Sequence, residues 1–425
     1  MTVPELSSGA QLALKKDSLL FRGFGLLSQN PYSAEANPEG IINAGVAANK
    51  TTTPLLLEKL NTLTRIVDED LEYNWPHGGP ALRSEIADFF NRHFSPSFTV
   101  SPDDIVVTNG CTSAIDMVTL ATCEPGDHVL IPTPCYAALE SDTSVRARAV
   151  PTMVDLPIEE AMSVSQIRYF EKTIKDIEAR GERAKMLFLM SPHNPLGISY
   201  PKDVLRAFFE FASKHGLFVV MDEIYALSVF DRKEDVTPFE SVLSWTDLDT
   251  YIDPSSVVIL HGLSKDFGLN GFRMGWVLSP WNKDLTRVLT SYSPFGYRPA
   301  YTDRLITEFL SDHRFIDDML AVSQKCLAEN YQLVSSFFDS RGIRYTPCSA
   351  GHFVWFQMPV SACTRALQEN ELAVWENIIL ENRVYMPSGR AFFSNEPGWF
   401  RLTFAIDREQ LELTLQRLEK ACGFN

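Results

Sequence analysis

Three runs of sequence decide the fold: 186–190 (MLFLM), 217–221 (LFVVM) and 256–260 (SVVIL). Each is apolar without alternation, the pattern of a strand covered on both faces and so of a parallel sheet flanked by helices. Residues 204–215 carry helical spacing between the second run and the first. Upstream, 104–108 (DIVVT) and 128–131 (HVLI) read as further strands, with the small-residue segment 111–122 as the helix between them and 82–94 as another helix. Alternation of strand and helix predicts an α/β fold with a mostly parallel sheet. Beyond about residue 300 the pattern changes. Long helical stretches at 300–338 and 371–380 flank short strands at 351–358 and 399–404, which reads as a smaller α+β domain. Residues 1–60 look turn-rich, with Asn37-Pro38-Glu39-Gly40 as the clearest break. The expected division is an N-terminal segment at 1–64 that joins the small domain, a large domain at 65–300 and a C-terminal small domain at 301–425.

The chain has 425 residues, 45% hydrophobic and 22% charged, close to the average globular composition, which excludes disordered, collagen-like and coiled-coil readings. Its net charge of −16 repels phosphate backbones, so nucleic acid is not an expected partner. No apolar run approaches the roughly 20 residues of a membrane helix, and no membrane partner is expected. Lys15 and Lys16 precede an apolar patch interrupted by Asp17 and Arg22 without a small-residue cleavage pattern, unlike a secretory leader. The seven cysteines (111, 123, 135, 326, 348, 363 and 422) are scattered and never form C-x-x-C. A reducing, cytoplasmic setting is expected rather than a disulfide scaffold. The eight histidines show no ligand spacing, and no metal site is expected.

In open parallel sheets ligands bind beyond the carboxyl ends of the strands, so chemistry should follow each apolar run. After MLFLM comes Ser191-Pro192-His193-Asn194-Pro195-Leu196-Gly197, and after LFVVM comes Asp222-Glu223-Ile224-Tyr225. After SVVIL comes His261-Gly262-Leu263-Ser264-Lys265-Asp266, followed by Gly268-Leu269-Asn270-Gly271-Phe272-Arg273. DIVVT leads into Asn109-Gly110-Cys111-Thr112, and HVLI into Pro132-Thr133-Pro134-Cys135-Tyr136. An amide, an acid, a phenol, an amine, a guanidinium and a small-residue turn converge on one edge. The Gly110 turn suits an anion, because free N–H groups and the helix dipole meet there.

These blocks, with Asn37-Pro38-Glu39-Gly40-Ile41-Ile42 and Pro397-Gly398-Trp399-Phe400-Arg401, resemble the pyridoxal 5′-phosphate (PLP) dependent class I/II aminotransferases. Within that family the chain is similar to the aminocyclopropane-carboxylate (ACC) synthase-like branch, and the resemblance spans about residues 37–405. It implies the PLP-dependent transferase (aspartate aminotransferase-like) fold. It implies that Lys265 holds PLP through an aldimine and moves the proton at the α-carbon of a free amino acid. Asp222 would keep the pyridine nitrogen protonated, so that the ring can absorb electrons. Tyr225 and Asn194 would bond the phenolate oxygen. Gly110, Cys111, Thr112, Ser264 and Arg273 would hold the phosphate, and Tyr136 would stack on the ring. Arg401 would take the substrate α-carboxylate, since a planar fork matches it, with Ala47 and Asn194 beside the substrate. Lys265, Asp222 and Tyr225 form the implied catalytic set, and a homodimer is implied by the same resemblance.

Three positions depart from the ACC synthase pattern. Ala48, in Val46-Ala47-Ala48-Asn49, stands where that group carries a glutamate that favours a sulfonium substrate. Pro76 replaces the aromatic that reaches the neighbouring subunit's cofactor, leaving Tyr73 and Trp75 as the nearest aromatics. Gly262 replaces a serine three residues before the lysine, so phosphate binding leans on Arg273, Thr112 and backbone amides. Amino transfer is the first expectation, by analogy of scaffold. An ACC synthase-like lyase, working by β- or γ-elimination and including carbon–sulfur cleavage, is the alternative. A DNA-binding regulator conflicts with the acidic charge. A pseudoenzyme conflicts with the intact Asn194, Asp222, Tyr225, Lys265, Arg273 and Arg401.

Overall fold

Branched and long apolar side chains fill both faces of a pleated strand, and the runs singled out above become strands of one sheet. A computed structural model describes residues 5–14, 19–231 and 236–423, apart from the side chains of 8, 12 and 360–369. Lys15, Lys16 and Asp17, and the side chain of Cys363, lie outside the described residues. In chain order the strands are β1 (Ile42–Asn43), β2 (Ile105–Thr108), β3 (His128–Pro132), β4 (Val150–Val154), β5 (Ala184–Met190) and β6 (Phe218–Asp222). They continue as β7 (Val257–Gly262), β8 (Gly275–Leu278), β9 (Tyr345–Thr346), β10 (Phe353–Gln357), β11 (Val384–Tyr385) and β12 (Trp399–Thr403).

The main sheet has seven strands in the order β2-β8-β7-β6-β5-β3-β4. Only β8 runs against its neighbours; the β7–β6, β6–β5, β5–β3 and β3–β4 pairs are parallel. The register Met190↔Asp222 and Asp222↔Leu260 brings the ends of β5, β6 and β7 level, so the loops after them share one edge. Helices cover the sheet. Lys202–His215 buries Val204, Leu205, Phe208, Phe209, Phe211 and Ala212 on one stripe and stops at Gly216, whose φ of 64° is the left-handed turn that glycine adopts without a Cβ clash. A smaller antiparallel sheet, β12-β10-β9, stacks Trp355 on Trp399 at 5.7 Å between ring centroids. Each fully buried indole removes roughly 150–250 Å² from water, an upper bound of about 4–6 kcal/mol. Among the described residues no helix is long and apolar enough to cross a membrane.

Two expectations change. Residues 300–338 are not one helix: Ala300–Ser311 and His313–Arg341 are separate. Asp312 divides them by leaving helical geometry (φ −81°, ψ 71°), and its Oδ1 caps the second helix by accepting from Phe315 N at 3.1 Å. Its other oxygen meets Lys59 Nζ at 2.5 Å. The N-terminal part is also less turn-rich than its composition suggests, with helices Ser8–Leu14, Leu19–Gln29 and Thr53–Leu63. Tertiary packing overrides propensity there. Gly23 lies so close to the Tyr385 ring that a Cβ would stand 2.3 Å from Cε2, so glycine permits the docking of Leu19–Gln29. The break at 37–40 is a turn, closed by Gly40 N donating to Asn37 O at 3.0 Å. The expected 371–380 helix is the second part of Val360–Asn382, which kinks at Asn370. β1 pairs in parallel with β11, tying the N-terminal segment to the distant C-terminal region.

Candidate active site

The level strand ends frame a cavity of about 200 Å³. Cys111, Thr112, Tyr136, Asn194, Asp222, Tyr225, Ser264, Lys265 and Arg273, each singled out from sequence, all line it. Gly110, Ala47 and Arg401 reach it through contacts with those residues. Met190, Ile115, Ile224 and Asn270 also line it and went unassigned. Their apolar or common side chains carry no chemical signal, although Asn270 lies inside a quoted motif.

At one end, helix Gly110–Thr122 begins directly after β2 with no acid in its first turn. Gly110 has φ +79°, and a Cβ there would lie 2.4 Å from Arg273 Nη2. Glycine thus lets the guanidinium close on the helix N-terminus. Arg273 itself takes left-handed geometry (φ 52°), and its Nη1 donates to Asn270 O at 2.8 Å. Thr112 and Arg273 remain open to solvent at the cavity rim. Cation, free amides and hydroxyl together make an anion cradle. Cys111 points elsewhere: its Sγ donates to His261 O at 3.3 Å, and burial pushes the thiol up, so it stays protonated.

Lys265 follows β7 on a tight loop. Its Nζ donates to Ala47 O at 2.8 Å and lies 5.8 Å from the Tyr225 ring centroid. Burial pulls this amine down to about 8, and the Arg401 charge acts in the same direction. Asp222 ends β6 fully buried, with Oδ1 accepting from Ile224 N at 3.1 Å. Burial pushes its carboxyl up to about 7, against the opposing pull of the Ile224 amide and Lys265. Tyr225 and Tyr136 are held well above the usual phenol range by burial, so each stays protonated. The cavity therefore pairs an amine with a sizeable neutral fraction near neutral pH and an acid short of partners. A protonatable ring nitrogen over Asp222 and an anionic group at Gly110 would satisfy both ends, which fits PLP.

Arg401 projects from β12 and is buried. Its Nη1 donates to Asn194 Oδ1 at 2.8 Å and Nη2 to Gly45 O at 2.5 Å. Phe353 and Phe392 each hold their ring centroid 4.8 Å from the guanidinium carbon, fixing its plane. Neither phenylalanine was recognisable from sequence as a site residue. Burial also pulls the Arg401 guanidinium below its usual pKa, with no carboxylate partner among the described residues to offset it. A substrate carboxylate would provide that charge.

Two departures find physical reasons. Gly262 pairs with Gly275 across β7 and β8, and a Cβ there would stand 2.7 Å from Gly275 Cα and 2.8 Å from Met274 O. Serine has no room. Around Pro76, Asn74 anchors the loop by donating Nδ2 to Asp303 Oδ2 at 2.9 Å and accepting from Tyr297 Oη at 2.6 Å. Tyr73 is left 97% exposed and Trp75 58% exposed, so neither reaches the cavity of its own chain.

Known proteins share this arrangement. The family described as aminotransferase class I and II matches residues 26–418. A mouse protein named 1-aminocyclopropane-1-carboxylate synthase-like protein 1 is 31% identical over 408 residues, 94% of this chain and 79% of its own length. A protein of Aspergillus fumigatus named probable aminotransferase gliI is 32% identical over 395 residues, 90% of this chain and 89% of its own. An aspartate aminotransferase single mutant of Thermus thermophilus shares the fold at a TM-score of 0.76 and 21% identity, covering 99% of this chain and 100% of that one. The large mixed sheet with one antiparallel strand is thus the aspartate aminotransferase-like α/β fold. The chain belongs to the aminotransferase class I and II family.

Proposed function

We propose that this chain is a PLP-dependent enzyme acting on a free α-amino acid, first of all an aminotransferase. One observation carries the reading: Lys265, its amine drawn down to about 8, shares one cavity with the buried acid Asp222 and with the Gly110–Arg273 anion cradle. Lys265 would hold the cofactor aldehyde, Asp222 would serve the ring nitrogen, and Asn194 and Tyr225 the phenolate oxygen. Gly110, Cys111 and Thr112 through their amides, with Ser264 and Arg273, would hold the phosphate, and Tyr136 would pack on the ring. The bound cofactor supplies an electron sink for a substrate that loses its α-proton. The protein does the rest. Arg401 orients the α-carboxylate with Asn194 and the Gly45–Ala47 strap beside it, and the freed Lys265 amine takes and returns the proton at the α-carbon.

A second reading, an ACC synthase-like lyase, draws on the 31% identical relative. The buried, neutral Ala48 argues against a sulfonium substrate, because a methyl group offers it no charge. The two readings separate in one experiment. Purified enzyme is incubated with a panel of amino acids with and without 2-oxo acid acceptors. Amino transfer yields new amino acid only when an acceptor is present. Release of ammonia and a 2-oxo acid without acceptor establishes the lyase instead, and no turnover under either condition overturns both.

The same proposal includes the division into an N-terminal segment (1–64), a large cofactor-binding domain (65–300) and a small domain (301–425), and residence in the cytoplasm. It also includes a homodimer. Support for the dimer is a set of exposed apolar side chains, Ile66, Leu71, Tyr73, Trp75 and Phe295. Sedimentation of the full chain at micromolar concentration tests it, and a monomer refutes it.

A further inference from the structure

The Arg401 guanidinium is steered by two acceptors. Nη1 donates to Asn194 Oδ1 at 2.8 Å and Nη2 to Gly45 O at 2.5 Å, while the buried Nε has no hydrogen-bond partner among the described residues. The plane of the fork therefore depends on where the Gly45 carbonyl sits. Asn43 Oδ1 holds this stretch by accepting from Gly45 N at 3.2 Å and Val46 N at 3.0 Å, and Ala44 N donates to Tyr385 O at 3.0 Å. The Tyr385 side chain then closes on Gly45 itself. A Cβ there would stand 2.6 Å from Tyr385 Cε1 and 2.8 Å from Cδ1, so one edge of the ring rests against the Gly45 main chain. The opposite edge meets helix Leu19–Gln29, where a Cβ on Gly23 would stand 2.3 Å from Cε2 and 2.8 Å from Cζ. The ring is buried, and the Phe24 ring tilts towards it at 6.0 Å between centroids. Both sides of this wedge are tied down. Arg22 pairs the helix with Glu376, and Trp375 Nε1 donates to the carbonyl of Met386, the residue after Tyr385, at 2.7 Å. Close packing of this kind transmits a displacement rather than absorbing it.

We propose that Tyr385 is a positioning residue for Arg401: its ring, wedged between Gly23 and Gly45, sets the Gly45 carbonyl that orients the guanidinium. The inference rests on Arg401 as the carboxylate-binding group of the proposed function. Gly45 is met by ring carbons of Tyr385, so the ring acts by its shape and the hydroxyl is dispensable.

The test uses the full chain loaded with pyridoxal 5′-phosphate and two nucleophiles that consume the cofactor aldehyde, read as loss of visible absorbance. Aminooxyacetate carries a carboxylate for Arg401; hydroxylamine carries none. Tyr385→Leu, which removes the flat ring, should slow aminooxyacetate roughly tenfold, the scale of one weakened charge-assisted hydrogen bond, and leave the hydroxylamine rate as it is. Tyr385→Phe, which keeps the ring, should match the unaltered chain with both. An aminooxyacetate rate unchanged in Tyr385→Leu overturns the inference. So does an equal loss for the two nucleophiles, the mark of a merely disordered cavity, or a Tyr385→Phe variant as slow as Tyr385→Leu. If Tyr385→Leu fails to fold, Gly23→Ala, which drives a methyl group into the far edge of the ring, decides by the same pair of rates. Should Arg401→Ala leave the aminooxyacetate rate unchanged, the reading of Arg401 as the carboxylate-binding group falls instead, and a chain that takes up no pyridoxal 5′-phosphate overturns the proposed function.

Discussion

Gly110→Ala isolates the anion cradle. The added Cβ would stand 2.4 Å from Arg273 Nη2 and 3.0 Å from its Cζ, inside any observed Cβ contact. The guanidinium is the free end of an exposed side chain, so it yields and swings off the helix N-terminus. The main chain at φ +79° adds about 1–2 kcal/mol of strain for a residue with a Cβ. Loss of one charge-assisted pair costs about 1.5–3 kcal/mol. At 1.4 kcal/mol per decade this is a factor of roughly 10–150 in affinity. The assay is a spectral titration with pyridoxal 5′-phosphate and, in parallel, with pyridoxal, which lacks the phosphate. PLP affinity should fall by that factor while pyridoxal affinity changes little. Equal losses for both ligands would refute the cradle, because a general collapse of the cavity does not distinguish them. Unchanged PLP affinity would show that the phosphate sits elsewhere.

Three further perturbations follow from the geometry. Arg401→Lys keeps the charge but loses the planar fork shared by Asn194 and Gly45; KM for the amino acid should rise roughly 10- to 150-fold, and an unchanged KM would place the α-carboxylate on another group. Gly262→Ser forces a Cβ against the backbone of Gly275 and Met274 and should destabilise the chain by about 1–3 kcal/mol, read by chemical denaturation; full stability would mean that β7 and β8 part easily. Asp222 is raised to about 7 from an ordinary value of 3.8, so its protonated form favours the folded state fully below pH 3.8, and that contribution is lost as pH rises through 7. Cofactor-free chain should lose stability between pH 4 and 7, and Asp222→Asn should flatten that fall by up to about 1.4 kcal/mol per pH unit. Identical slopes in the two proteins would show that the carboxylate is not strained by burial.

The apolar runs announced the sheet because a doubly covered strand leaves no room for polar side chains, and the register Met190↔Asp222 then aligned the chemistry after each run. Lys265 and Asp222 were legible for that reason: charged residues at or just beyond the end of a buried strand have few structural purposes, whereas Arg273, two residues before β8, was legible only through the motif it shares with Lys265. Asp312 was not legible as a helix break, since its role depends on Phe315 and on Lys59, distant in sequence. Leu19–Gln29 was hidden because its docking depends on Gly23 meeting Tyr385. Phe353 and Phe392 carried no signal for a related reason: each meets Arg401, which folding alone brings near.

The short segment from β1 to Ala47 lends carbonyls to two cations from opposite halves of the molecule, Arg401 at a separation of 356 residues and Lys265 at 218. Closing the longer loop instead of the shorter costs under about 0.6 kcal/mol in chain entropy, so distance barely weakens the finished clasp. Its effect is on timing. During synthesis the segment emerges long before β12, and the wide sheet can pair while these carbonyls still face water. If Arg401 grips the substrate as proposed, competence waits for the last strand of the small sheet to dock, and a nascent or clipped chain stopping short of Arg401 would lack that grip.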